Sequence, residues 1–181
     1  MTPVDLPALL SSRIVDVPDF PTPGVVFKDI SPLLADHVAF AAAVDAVVAR
    51  YGRGAIDKVV GIEARGFLLA APVAYHVGAG FVPVRKPGKL PLRTHEVAYD
   101  LEYGSNVLQV HRNAFAPGDR VLVVDDVLAT GGTAAAAVSL AQTAGATVLG
   151  LSVLLELSFL DGRTTVAAAH PGLDVHALLT V

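Results

Sequence analysis

Residues 121–133, which read V-L-V-V-D-D-V-L-A-T-G-G-T, constrain the fold more than any other part of the chain. The apolar residues 121–124 are typical of a central strand in a parallel sheet, and the alanine-rich residues 134–144 predict a helix after the turn. Two acids, Asp125 and Asp126, follow the apolar run. We therefore expect the acids and the glycine turn at the carboxyl end of a strand, where open α/β sheets bind ligands.

The turn has the chemistry of a sugar phosphate site. Gly131 and Gly132 let the backbone approach a ligand closely, and the start of the next helix offers free N–H groups to a phosphate. Thr130 and Thr133 add hydroxyl donors. The two acids accept hydrogen bonds only, so they suit ribose hydroxyls, directly or through a metal ion. A glycine pair alone is more often a plain tight turn. The sequence patterns of ordinary nucleoside triphosphate and dinucleotide sites are absent, which argues against those two kinds of site.

Alternating strand and helix patterns predict an α/β fold with a mostly parallel central sheet flanked by helices. The 181 residues, 53% of them hydrophobic, are enough for one domain with a large core. The predicted strands are 58–62, 81–84, 107–111, 121–124 and 147–155. The predicted helices are 6–15, 39–51, 66–76 and 134–144.

A second candidate binding turn, V-G-I-E-A-R-G at 60–66, joins a predicted strand to a predicted helix. Arg65 in this turn can bind phosphate oxygens with two parallel hydrogen bonds. Taken alone, the turn is equally well explained as an ordinary helix start with a solvated arginine. Because it should lie at the same sheet edge as the 121–133 run, one ligand could span both turns.

Residues 85–104 form a long segment that we interpret as a flap. Four cations lie within 85–93, and a loop of about twenty residues in a compact domain is usually functional. Glycine and prolines limit regular structure and permit closure over a substrate, which would bring Glu102 and Tyr103 over the reacting centre. The alternative is a solvated, charged hairpin.

Composition excludes several other classes of protein. The net charge of −4 and pI near 5.8 argue against a broad nucleic-acid surface, and the chain has no cysteine for disulfides or thiolate metal sites. Residues 1–5 lack the basic start of a secretory signal, and no apolar run is long enough to span a membrane. The six histidines show no metal-ligand spacing. We expect a cytoplasmic protein that binds neither nucleic acid nor membrane.

Five motifs, in order along the chain, resemble the adenine phosphoribosyltransferase family of type I phosphoribosyltransferases. They are F-P-T-P-G-V-V-F-K-D-I-S-P at 20–32, G-I-E-A-R-G-F at 61–67, R-K-P-G-K-L-P at 85–91, Y-D-L-E-Y-G at 99–104 and the run 121–133. The resemblance implies one domain over 1–181, with an N-terminal hood (1–35) and a flexible flap (85–105). It implies that adenine and 5-phosphoribosyl-1-pyrophosphate (PRPP) give AMP and pyrophosphate in purine salvage. It also implies a homodimer, and magnesium carried by PRPP rather than held directly by side chains.

The resemblance assigns a role to each motif. For adenine it indicates the backbone of Val26 and Lys28 and the ring of Phe27. For the ribose and 5′-phosphate it indicates Asp125, Asp126, Ala129, Thr130, Gly131, Gly132 and Thr133. For pyrophosphate it indicates Arg65, Arg85, Lys86, Lys89 and Tyr103. Glu102 is the implied general acid or base for the adenine proton.

Two alternatives remain open at this stage. The first is a phosphoribosyltransferase for a 6-oxopurine or orotate, against which the 20–32 motif argues. The second is a PRPP-sensing regulatory domain without catalysis, against which the intact flap motifs argue. The chain departs from the family pattern at Leu92 and Arg93, where a glycine and an acid are common, so we expect a stiffer and more basic flap.

Overall fold

The computed structural model describes residues 5–100 and 105–181, except for the side chains of Asp100 and Ser105. Glu102 and Tyr103 therefore lie outside the described residues. The chain separates into two units, Met1–Ala46 and Val47–Val181. Within the described ranges, no helix has both the length and the apolar character needed to cross a membrane.

The first unit contains a short antiparallel hairpin, preceded and followed along the chain by helices. Its elements are α1 (Leu6–Ser11), β1 (Val15–Pro18), β2 (Val26–Asp29), α2 (Ser31–Ala35) and the start of α3 (His37–Tyr51). The Asp5 carboxylate caps α1 by accepting a hydrogen bond from the Ala8 N–H at 3.2 Å. The prediction of a helix over 6–15 is wrong beyond α1, because the β-branched Val15 and Val17 pair with β2 instead.

The second unit is built on a five-stranded parallel sheet. Its elements are β3 (Lys58–Ile62), α4 (Gly66–Val77), β4 (Gly80–Val84), β5 (Thr94–Asp100), β6 (Ser105–His111), β7 (Arg120–Leu128), α5 (Gly132–Thr143), β8 (Thr147–Glu156), a 3₁₀ turn (Ser158–Leu160), α6 (Gly162–Ala169) and β9 (Asp174–Thr180). The strand order is β4-β3-β7-β8-β9, so β3 and β7 are neighbours. The predicted α/β class with a parallel central sheet is confirmed.

Strand β7 is the buried centre of this sheet. Its residues 121–124 are at most 2% exposed, and the alanine-rich face of α5 is buried with them. The predicted strand ended too early, because β7 continues along β8 and pairs Asp125 with Val153 and Leu128 with Glu156. Asp125 and Asp126 therefore lie inside the final part of the strand and not in the turn after it.

Strands β5 and β6 form a separate antiparallel hairpin. Two predictions are wrong here: 107–111 does not belong to the parallel sheet, and 94–100 is not irregular. Residues 95–99 alternate between half-buried and exposed, and Val97 and Tyr99 pack against the core, which is the pattern of a strand with one covered face. The fifth strand of the parallel sheet is β9, which was not predicted, and neither were the short helices α2 and α6.

Candidate active site

A cavity of about 230 Å³ lies where the carboxyl end of β7 meets the turn between β3 and α4. It brings together the two turns that the sequence indicated. Its lining residues are Arg65, Asp125, Asp126, Val127, Leu128, Ala129, Thr130, Gly131, Thr133 and Ala134. Gly132, also predicted to bind phosphate, is the first residue of α5.

An arginine lies close to the acid pair. Arg65 Nε lies 2.7 Å from Asp126 Oδ2, and the Asp126 residue is only 5% exposed. The Asp126 backbone N–H donates to Asp125 Oδ1 at 2.9 Å. Burial raises the pKa of the Asp125 carboxyl well above its usual value, and the nearby charge of Asp126 raises it further. The site thus contains an excess of acceptor oxygens that hydroxyl donors or a cation would relieve.

Gly66 lets α4 begin directly against β7. A Cβ on this residue would lie 2.6 Å from Asp125 Oδ1 and 3.0 Å from the Val124 carbonyl oxygen. Real Cβ atoms essentially never come as close to another heavy atom as the first of these distances. Since the free N–H groups of a helix start attract anions, this contact places them next to the acid pair and its arginine.

The turn at 129–133 is shaped by a contact with the start of α6. Gly131 has φ +86°, and a Cβ there would collide with the Gly162 carbonyl oxygen. A Cβ on Gly162 would in turn collide with the Ala129 carbonyl oxygen. The turn can hold its shape only if both positions are glycine. Sequence reasoning missed Gly162, because no motif surrounds it.

The flap hairpin contacts the same turn. The Thr133 hydroxyl donates to the Tyr99 hydroxyl at 3.1 Å, and Tyr99 is on β5. Thr133, which is predicted to bind the phosphate, is thereby joined to the strand that leads into residues 101–104.

Two of the cations predicted for pyrophosphate, Arg85 and Lys89, are held by an acid that the sequence analysis did not single out. Arg85 Nη2 lies 3.1 Å and Lys89 Nζ 2.7 Å from Glu63 Oε1, and the Lys86 backbone N–H donates to Oε2 at 3.1 Å. Glu63 follows β3 directly and precedes Arg65 by two residues. Its position inside the G-I-E-A-R-G-F motif was the available signal.

The residues predicted to contact adenine lie on β2, in the first unit. The Phe27 ring meets the Phe20 ring edge to face, with centroids 5.1 Å apart. Lys28 Nζ binds the Asp16 carboxylate at 2.7 and 2.8 Å. Because Val26 and Lys28 are two apart on a strand, their backbone groups point to the same side of that strand.

Asp125 and Asp126 have the chemistry to attract a divalent cation. Carboxylate oxygens are the hard ligands that suit Mg²⁺, and here two acids are adjacent, with Asp126 paired to Arg65. In the part of the chain that the structure describes, no group of three or more His, Cys, Asp or Glu side chains could hold a metal ion. A cation at the acid pair would therefore take most of its ligands from water and substrate.

Comparisons with known proteins agree with one another. Residues 32–166 match the family model of the phosphoribosyl transferase domain. The adenine phosphoribosyltransferase of Acidothermus cellulolyticus is 63% identical over 169 residues, covering 93% of this chain and 96% of that relative. The crystal structure of the Rhodothermus marinus adenine phosphoribosyltransferase matches with a TM-score of 0.91 at 45% identity, covering 97% of this chain and 98% of that one. The APRTase of Giardia lamblia, crystallised with 9-deazaadenine, matches with a TM-score of 0.89 at 40% identity, covering 95% and 96%.

Proposed function

The chain belongs to the phosphoribosyl transferase family, and from this we propose that it converts adenine and PRPP into AMP and pyrophosphate in purine salvage. The observation that carries the proposal is the cavity that joins the Arg65 turn to the acid pair and the glycine turn. A ribose between a phosphate and a pyrophosphate needs a phosphate cradle, hydroxyl acceptors and a cation. The names of the relatives, adenine phosphoribosyltransferase, support the same activity.

The ribose and its 5′-phosphate would occupy the β7 side of the cavity. Asp125 and Asp126 would accept hydrogen bonds from the ribose hydroxyls. The backbone N–H groups and hydroxyls of residues 129–133 would bind the phosphate at the start of α5. Arg65 would then turn from Asp126 towards the pyrophosphate, since the ribose hydroxyls replace it as the partner of that acid.

The reaction is a displacement at the anomeric carbon of the ribose. The bond to the pyrophosphate oxygen breaks as the purine nitrogen attacks, and positive charge develops on the ribose ring. Arg65, Lys86 and Lys89 would neutralise the leaving pyrophosphate, while the acid pair fixes the ring. Magnesium carried by PRPP would supply further positive charge at the pyrophosphate, and Asp125 and Asp126 are the cavity residues whose carboxylates would suit such a cation. Arg85 and Tyr103 are also proposed for this end of the donor.

Selectivity for adenine would come from the backbone of Val26 and Lys28. A carbonyl that faces the exocyclic amine accepts its hydrogen, whereas a 6-oxopurine presents a second acceptor and leaves both groups unpaired. Such a mismatch costs about 1–3 kcal/mol per group, or roughly one to two orders of magnitude in rate. Phe27 would stack on the base, and Glu102 would handle its proton.

We also propose that the protein is a homodimer. On α4, the residues Leu68, Ala71 and Tyr75 are all exposed, and their spacing puts them on one face of the helix. Leu68 is 49% and Tyr75 79% exposed. A second copy covering this apolar stripe would explain it, because monomers seldom leave such stripes open.

The remaining expectations stay proposals of the same kind. We propose one functional domain over 1–181, with hood residues 1–35 and flap residues 85–105. We also propose a cytoplasmic location, which the absence of cysteines permits.

The test is nucleotide formation from purified protein, PRPP and magnesium with adenine, hypoxanthine, guanine or orotate. We expect AMP from adenine and little product from the other bases. Product from another base would keep the PRPP site and overturn the role of Val26 and Lys28. PRPP binding without any product would favour a PRPP sensor instead.

A further inference from the structure

Glu63 is a buried acid beside the proposed pyrophosphate site. Its side chain is 8% exposed, and it lies between the end of β3 and Arg65. Its backbone N–H donates to the Val84 carbonyl at 2.9 Å, which fixes the residue beside the end of β4. The proposed reaction assigns Glu63 no contact with substrate.

The Glu63 carboxylate accepts hydrogen bonds from three residues of the turn 85–89. Arg85 donates to it through Nε at 3.3 Å and through Nη2 at 3.1 Å. Lys89 Nζ donates at 2.7 Å, and the Lys86 backbone N–H donates at 3.1 Å. Arg85 Nη1 also donates to the Lys89 carbonyl at 3.0 Å, which ties the two ends of the turn together.

The charge of Glu63 is needed for this arrangement. Burial acts to raise its pKa, but the hydrogen bonds from Arg85 and Lys89 outweigh burial and lower the pKa to about 2. The carboxylate is therefore ionised at neutral pH. One negative charge holds two side-chain cations, so the cluster keeps a net positive charge for an anionic ligand.

The two cations are held differently. Arg85 is 32% exposed at its side chain and uses Nε, Nη1 and Nη2 within the turn. Lys89 is 50% exposed and, among the described residues, donates through Nζ to Glu63 alone. An ammonium group has three N–H donors, so Lys89 retains donors for a ligand while Arg85 shapes the turn.

We propose that Glu63 is a positioning residue that holds Lys89 and the backbone of Lys86 in place for the pyrophosphate end of PRPP. This inference rests on the proposed function, because it takes pyrophosphate as the ligand of the turn 85–89. Glu63 acts through the turn and does not touch the substrate.

The test compares Glu63→Gln with wild type. The amide keeps the shape of the side chain but removes its charge and one acceptor oxygen, so the turn should lose its fixed position. We expect the KM for PRPP, and the Kd for magnesium pyrophosphate measured by calorimetry, to rise about 10-fold to 100-fold. The KM for adenine and kcat at saturating PRPP should change little, which a general loss of structure would not produce.

Asp57→Asn is the matched control, because Asp57 forms an arginine pair with Arg120 at the opposite end of β3 and β7. It should leave both pyrophosphate-dependent constants unchanged. If Glu63→Gln does not fold, Glu63→Asp retains the charge on a shorter arm, and a smaller rise in the same two constants is expected. Unchanged constants, an equal rise in the control, or tighter pyrophosphate binding would each overturn the proposal.

Calorimetry separates this inference from the proposed function, since pyrophosphate binding needs no turnover. If wild-type protein forms no AMP but Glu63→Gln still weakens pyrophosphate binding, the proposed function fails and the positioning role stands. If AMP forms normally and pyrophosphate binding is insensitive to residue 63, only the positioning role fails. If wild-type protein does not bind pyrophosphate at all, the positioning role is overturned.

Discussion

An arginine–aspartate pair lies at each end of the neighbouring strands β3 and β7. The two pairs differ in their hydrogen bonds, their exposure and the charges beside them. Where the strands begin, Arg120 donates to both Asp57 oxygens at 2.9 Å, and its backbone N–H adds a bond at 2.8 Å. Both side chains are well exposed, at 45% and 38%. Where the strands end, Arg65 meets an Asp126 side chain that is only 8% exposed, with Asp125 beside it.

The comparison distinguishes a structural pair from a proposed binding site. At the first end the charges balance, and the hydrogen bonds from Arg120 lower the pKa of Asp57 to about 2. At the second end Arg65 pairs with Asp126 beside a second acid, and the pKa of Asp125 is raised. We expect the first arrangement to be complete as it stands, and the second to be completed by the hydroxyl donors or cation of the proposed substrate.

The largest expected effect comes from neutralising the buried acid of the second pair. Asp126→Asn removes a charged acceptor from the ribose hydroxyls, so kcat/KM for PRPP should fall about 100-fold. Steady-state assays should show activity close to wild type in Asp57→Asn, although it breaks a pair of the same type. Full activity in Asp126→Asn would remove the ribose role of this acid.

Two glycines extend the comparison to the backbone at the two ends of β7. Gly118 and Gly131 have φ +82° and +86°, but only a Cβ on Gly131 meets other atoms, those of Gly162. Gly118→Ala should cost about 1 kcal/mol of unfolding free energy from the left-handed backbone alone. Gly131→Ala should cost about 2–4 kcal/mol and also raise the KM for PRPP, because the turn must move.

Denaturant unfolding and PRPP kinetics on both glycine variants check this prediction. Equal losses of stability would show that the contact with Gly162 is unimportant. An unchanged KM for PRPP in Gly131→Ala would show that the turn does not bind the phosphate.

The smallest effect is on stability and has opposite signs at the two ends. A raised folded-state pKa makes the ionised Asp125 destabilising once the pH exceeds the unfolded value near 3.9. Asp125→Asn should therefore stabilise the ligand-free protein at pH 7 by about 1 kcal/mol, and the difference should vanish below about pH 4.

Asp57→Asn should have the opposite effect and destabilise the protein at pH 7. The lowered pKa of Asp57 stabilises the folded protein above about pH 4, and this contribution is lost as the pH falls towards 2. Denaturant unfolding of both variants at pH 7 and pH 4 measures the two signs. If Asp125→Asn is less stable than wild type at pH 7, the interpretation that ionised Asp125 destabilises the folded protein is wrong.

Features that depend on local pattern were predictable from the sequence. The apolar core of β7, the alanine-rich α5 and the Arg65 turn each carry their signal within a short segment, and the cavity brings these parts together. The hairpin strand β5 carries no clear alternation of polarity in its sequence, and the glycine and prolines before it favoured an irregular loop.

Contacts between distant segments could not be predicted. Gly162 is an ordinary glycine until the fold brings it against Gly131. The pairing of Glu63 with Arg85 and Lys89 depends on β3 and β4 lying side by side, and β7 reaches Leu128 only because β8 continues beside it. Each of these features is set by tertiary packing, which local propensity does not contain.

The contact between Gly131 and Gly162 determines whether the phosphate turn can be transplanted. Residues 125–133 look like a self-contained module in the sequence. Their backbone path is nevertheless bounded by the start of α6, which comes after α5, β8 and the 3₁₀ turn along the chain. A protein engineer who grafted this segment onto another sheet would have to bring the start of α6 with it. The unit that can be transferred is the pair of segments.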